Sequence, residues 1–405
     1  MGAGTAQRGA CLLISGKVRK NMEFVVFAGV LLLLFIFMIV QELIQTKNQE
    51  KLFKKYLREN YGKEPPKEYS LERFARLGSY LERHKEEKQL DDITWNDLGM
   101  DEVFRRIDRT YSAAGEEYLY YTLRNISCGR EALEHLEEVV NWLQEQENIK
   151  VRIQLLMKRL GHLGKYSLYD YLDNLDYLGE RSNRKIVLGN LLYLPFLLLL
   201  FVQPAMGTIG IVLCMLWHIM TYFREKKVIE PYIISFAYVL RLIDVCEELE
   251  KQKIPVYRRE LDELREVLKS LRELRRGAYW VMAGNQGKIG GNPLDILADY
   301  LRMILHLDIF QFNRMLEKLR KKTGQVETML AITGYLDMAI SVGGFRKSLE
   351  GYCIPKLEED TEKAFLHMKK GWHPLLSQPV KNSIRADRGI LLTGSNASGK
   401  SAFLK

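Results

Sequence analysis

Two uncharged apolar runs, Ile186 to Val202 and Met206 to Phe223, are separated only by Gln203, Pro204 and Ala205. At about 1.5 Å of rise per helical residue, each comes close to spanning the roughly 30 Å hydrocarbon core of a bilayer. The short gap leaves room for a tight turn and nothing else, so the pair is expected to form a membrane hairpin. In lipid every backbone amide must be satisfied within the segment, which a helix provides. Arg181, Arg184 and Lys185 precede the pair, and Arg224, Lys226 and Lys227 follow it. Such basic flanks place both ends of the hairpin on the cytoplasmic side. A buried helical hairpin in a soluble core is the alternative reading.

A third uncharged run, Phe24 to Val40, reads as a further transmembrane helix. It is long for the apolar region of a signal peptide, and no small-x-small cleavage site follows it. Lys17, Arg19 and Lys20 on one side are matched by Lys47, Lys51, Lys54 and Lys55 on the other, so charge alone does not orient it. The carboxyl side is placed inside because a nucleotide-binding motif lies there. The expected location is therefore the cell membrane, multi-pass, with the remaining parts cytoplasmic.

Residues 1–46 form the amino-terminal segment with the span 24–40, and residues 47–92 read as a charged helical linker broken at Pro65 and Pro66. Residues 93–350 carry apolar positions at helical spacing, interrupted by the hairpin at 186–223. Two helices joined near Ser112 to Gly115 are expected over Thr94 to Arg124, then one long amphipathic helix over Glu131 to Leu160. A second long stretch covers Pro231 to Arg276, where Leu261, Leu264, Leu268 and Leu271 hold a spacing suited to packing along another long helix. Further helices are expected over Asn292 to Lys322 and Val326 to Lys347. From residue 351 the segments shorten, with Gly371, Pro374 and Pro379 as punctuation, and an α/β unit begins. The fold class is thus mainly α with transmembrane helices, followed by the start of an α/β P-loop domain.

That last unit carries the chemistry. Gly389 to Thr393 is a short apolar run expected to be a buried strand, and the phosphate-gripping sequence Gly394, Ser395, Asn396, Ala397, Ser398, Gly399, Lys400, Ser401 follows it directly. In such a loop the glycines permit the turn, and consecutive N–H groups point at the anion. Lys400 reaches the β- and γ-phosphate oxygens, and Ser401 places its hydroxyl on Mg²⁺. ATP and Mg²⁺ are the expected cofactors. Hydrolysis also needs an acidic residue on a later strand. Only four residues follow Ser401, so the sequence reads as truncated after the loop and catalytically inactive by itself.

Five cysteines (Cys11, Cys128, Cys214, Cys246 and Cys353) lie far apart without a CxxC pair, and seven histidines are equally scattered. Reduced, buried thiols and no metal site built from side chains alone are expected. The formal net charge of +9 suits nucleic acid or anionic lipid, but residues flanking membrane spans produce a similar excess.

The loop, GWHPLL at Gly371 to Leu376 and VKNSI at Val380 to Ile384 occur in the same order as at the start of the ATPase domain of the MutS mismatch-repair family, which this chain resembles. Asn396 matches the family's loop asparagine, while Ser395 stands where proline is usual and Ala402 where threonine is usual. Trp95 to Lys347 resembles the family's helical core and lever region, and Glu327 to Val342 the helix leading into the ATPase. The resemblance implies a dimer with composite ATP sites, ATP-driven lever movement, and an adenine bordered by Val380 to Ile384, with Val380 and Asn382 closest. Mismatch sensing in the family uses a Phe-x-Glu wedge in an amino-terminal domain, for which the 90 or so residues before the core leave no room. The triplet at Phe223 to Glu225 lies at the end of a span instead. The hairpin falls where the levers would carry a DNA clamp, so lipid becomes the expected partner and DNA binding is left open. A transporter's nucleotide-binding component and a non-enzymatic membrane scaffold are the competing classes.

Overall fold

The computed structural model describes residues 36–41, 43–63, 69–86, 88–126, 129–163, 167–275, 293–358, 365–376, 378–394, 399–400 and 403. They form a mainly helical body with one two-stranded sheet near the carboxyl end. The expected first span lies largely outside these residues, and only 36–40 of it is described, as helix.

The body is assembled around the helix Thr323–Lys347, whose Met329, Leu336, Ala339 and Ile340 are almost completely buried. The helix Ala113–Arg124 lies along it so closely that a Cβ on Gly334 would sit 2.6 Å from the Ala114 carbonyl oxygen. Asp337, also on the central helix, reaches into the segment before that neighbour. Its Oδ2 accepts the Ser112 hydroxyl at 2.6 Å and the Tyr111 and Ser112 amides at 3.0 and 2.8 Å. Ser112 in turn caps the neighbour by accepting from the Gly115 amide. One fully buried carboxylate thus fixes where two central helices meet.

The stretch expected as a charged linker contributes to this body. A helix over 43–60 buries Leu57, and the helix Leu71–Arg83 buries Leu77 beside Trp95, Phe104, Leu119 and Met338. Ser70 caps it. Lys51, Lys55 and Glu59 are exposed, as expected of a solvated face, but Arg73 and Arg76 are not. Arg76 donates to Glu116 at 2.8 Å, and Arg73 donates to the other oxygen of the same carboxylate. Glu131 to Leu160 is two helices, Arg130–Glu145 and Glu147–Leu160, because Gln146 leaves helical geometry at φ −97°, ψ 66°. Leu261, Leu264 and Leu271 are buried on the helix Arg258–Leu271, which packs along both the central helix and the hairpin's second arm, the partner that their spacing calls for. Cys214 and Cys246 are buried, whereas Cys353 is exposed, contrary to the expectation of uniformly buried thiols. It follows a helix end in an irregular, solvent-facing segment.

Glu117 is buried among aromatic rings and accepts from the Ser167 hydroxyl at 2.9 Å. Burial pushes its carboxyl from the ordinary 4.5 up to about 8, outweighing the lowering by that hydrogen bond. The folded protein therefore holds a proton that the unfolded chain releases, so this group's stabilising contribution is full below about pH 4.5 and declines as pH rises to about 8. Glu117→Gln should remove that component. Thermal midpoints of the variant and parent, compared from pH 5 to 8, are expected to converge at low pH and to separate in the variant's favour at high pH.

Candidate functional site

Around the phosphate-loop sequence the structure is simpler than expected. Strands β1 (Leu366–Gly371) and β2 (Asn382–Ala386) pair antiparallel, with Met368 opposite Ile384 and an irregularity before Gly371. Gly389 to Thr393 is not a buried strand. It is irregular, and Ile390, Leu391 and Leu392 are 53%, 88% and 39% exposed. The cause is physical: a strand needs a neighbour to take its amides and carbonyls, and among the described residues β1 and β2 pair only with each other. Among the described residues this region holds one antiparallel pair, and no parallel strand is seen there.

Of the loop itself, Gly394 is exposed and irregular, Gly399 takes φ +84°, and Lys400 begins a helical turn closed by the Phe403 amide on the Gly399 carbonyl at 3.0 Å. The positive φ is a left-handed conformation that glycine adopts without strain. The Lys400 ammonium folds back to donate to the Gly394 carbonyl, joining the two glycine ends of the motif. Ser395, Asn396, Ala397, Ser398 and Ser401, the expected magnesium ligand, lie outside the described residues. Val380 is 78% exposed, and Asn382 opens β2 with its side-chain amide on the Val380 carbonyl at 3.1 Å. Glycines at both ends of the motif, with one ammonium held beside the first of them, are groups that can approach an anion.

The hairpin is the second element. Tyr193–Val202 and Pro204–Glu250 are joined through Gln203 alone, whose amide still bonds the Leu199 carbonyl at 2.7 Å while its own carbonyl accepts from Gly207. Pro204 at the first helical position needs no amide partner, which suits a helix that starts without a linker. Among the described residues three helical segments are long and apolar enough to cross a membrane: Arg184–Val202, Pro204–Glu250 and Thr323–Lys347. Their most apolar stretches are 6%, 28% and 72% buried within the protein, so the third is an internal helix while the first two present their leucines outward. Leu198, Phe201, Leu213 and Met220 are more than half exposed.

Small residues let the arms touch. A Cβ on Gly207 would lie 2.6 Å from the Leu200 nitrogen and 2.9 Å from its Cα, both backbone atoms that cannot swing away. Gly207→Val is expected to force the arms apart and to cost about 1–3 kcal/mol, in line with overpacked sites elsewhere. Thermal unfolding in lipid nanodiscs measures it, and Gly189→Ala, where the nearest atom is the His218 ring at 3.2 Å, should do less.

At the hairpin's base, sequence spacing gave no hint of what the fold assembles. His218 and His306, 88 positions apart in sequence, bring their Nδ1 atoms to 3.3 Å. Tyr222 donates to Asp308 at 2.8 Å, and Lys226 donates to Tyr222 at 2.9 Å. Arg181 meets Glu225, the acid of the Phe-x-Glu triplet, at 2.5 Å. Among the described residues no group of three or more His, Cys, Asp or Glu is placed to hold a metal ion. The cluster is a polar clasp tying the apolar arms to the helix pair Pro293–Leu305 and Leu307–Arg320.

Compared with known proteins, the chain matches no family model, no curated protein and no solved structure.

Proposed function

We propose that this protein is a membrane-anchored, MutS-like ATP-binding protein whose helical core transmits nucleotide-dependent movement to a hairpin in the bilayer. The observation that carries the reading is the continuous helix Pro204–Glu250. Its first part exposes apolar side chains, whereas its second part, from Ile229 to Leu249, is buried and packs on the central helix Thr323–Lys347. Displacement of the core is thereby coupled to the arms through one helix, interrupted in its hydrogen-bond ladder only at Pro231, and through the polar clasp at its base. In this reading the protein is multi-pass, its core and loop are cytoplasmic, and its partners are lipid and a second copy that completes composite ATP sites. DNA contact is a question the same reading leaves to a salt-dependent gel shift with paired and mismatched duplexes.

ATP would place its phosphates on the Gly394–Ser401 amides and the Lys400 ammonium, with Ser401 on Mg²⁺. Labelled ATP should bind to protein reconstituted in nanodiscs. Lys400→Ala removes a charge-assisted bond worth about 1.5–3 kcal/mol, so affinity should fall roughly ten- to a hundredfold. Equal binding by parent and variant would refute the nucleotide part of the proposal.

A further inference from the structure

A cavity of about 620 Å³ opens between the helix over 43–60, the turn at Arg109 to Tyr111 and the helix Glu147–Leu160. Its size lies within the range of small-molecule sites. Phe53, Tyr61 and Tyr111 supply ring faces and edges, and Arg109 and Lys158 supply charge. No Asp or Glu lines it among the described residues. Lys158 holds its ammonium 3.5 Å from the Phe53 ring centroid and has no carboxylate partner among the described residues. Behind Tyr61, Lys150 sits 3.7 Å from the ring centroid, and Lys347 approaches the same ring at 5.3 Å, adding to the positive potential. Burial and the nearby Lys347 hold the Lys150 ammonium below its ordinary range. The wall also contains Gln154, only 4% exposed, whose side-chain oxygen has no hydrogen-bond partner among the described residues.

These features ask for one kind of occupant: a flat ring to stack on aromatics, an anion to meet the cations, and a donor for the Gln154 oxygen. We propose that this cavity binds a nucleoside monophosphate, with its phosphate on Lys158 in the positive field of Arg109, whose guanidinium donates to the Lys63, Arg106 and Ile107 carbonyls, its base among Phe53, Tyr61 and Tyr111, and an exocyclic amine donating to Gln154. The site is separate from the Gly394–Ser401 loop. Arg109 and Tyr111 adjoin Ser112, which Asp337 anchors, so an occupant would clamp the membrane-proximal helix onto the core.

The test is equilibrium dialysis of labelled adenosine and guanosine 5′-monophosphates against the whole protein in nanodiscs, carrying Lys400→Ala to silence the loop. Saturable binding of at least one nucleotide is expected, weakened about tenfold or more by Lys158→Gln without a change in thermal midpoint. Gln154→Met should also weaken binding while raising the thermal midpoint, because it removes a buried unpaired polar group; a merely structural glutamine would not behave so. Absence of saturable binding, unchanged affinity in Lys158→Gln, or equal competition by inorganic phosphate, by unphosphorylated nucleosides or by anionic vesicles would overturn the assignment.

Discussion

Asp337→Ala is expected to destabilise the protein by about 4 kcal/mol, seen as a fall of roughly 5 °C in thermal midpoint. The side chain is fully buried, and it accepts from two amides and a hydroxyl across a separation of 225 positions in sequence. Removing it leaves the Ser112 donors inside the protein without an acceptor, at about 1–3 kcal/mol each, and loosens the cap that Ser112 provides for Ala113–Arg124. Part of the loss is returned because a carboxylate no longer has to be held away from water. Asp337→Asn keeps an acceptor of similar shape and should cost about half as much. A midpoint unchanged in both variants would mean that the junction is not held this way.

A still larger effect is expected from a pair of substitutions on the hairpin, and only if the hairpin is in lipid. Leu198 and Leu213 are 69% and 61% exposed. Were that surface in water, arginine at either site would change stability by no more than about 0.5 kcal/mol. In a bilayer each arginine near the middle of a span costs about 2.5–3.5 kcal/mol, so Leu198→Arg with Leu213→Arg should cost roughly 5–7 kcal/mol in membrane insertion. Protease protection of the hairpin in isolated membranes measures this. The double variant should lose protection, whereas an apolar control such as Leu198→Val should keep it.

How far the sequence disclosed these features depended on the reach of the interactions behind them. The hairpin was legible because an uncharged run and a three-residue gap are local properties; the structure reduces the break to Gln203, divides the first arm at Leu192, and carries the second arm past Phe223 to Glu250 without the expected break before Pro231. The body's helices were legible from periodicity, but the interruption at Gln146 was not, since neither glycine nor proline marks it. The stretch around Arg73 and Arg76 resembled a solvated linker because Glu116, which pairs with both, lies 40 or more positions away. Asp337 and the His218–His306 pair were invisible for the same reason. Gly389 to Thr393 is the opposite case. Its apolar pattern was plain, but a strand is a property of its neighbours, and none pairs with it among the described residues.

The account rests on the hairpin facing lipid while the remainder of Pro204–Glu250 stays in the core. The most direct measurement places a photoreactive side chain at position 197, 213 or 336 in turn and asks which of them crosslinks to labelled phospholipid in native membranes. Labelling from positions 197 and 213 and none from 336, which is fully buried, is the expected result. Labelling from neither hairpin position would contradict the account and leave the exposed leucines as a surface for protein.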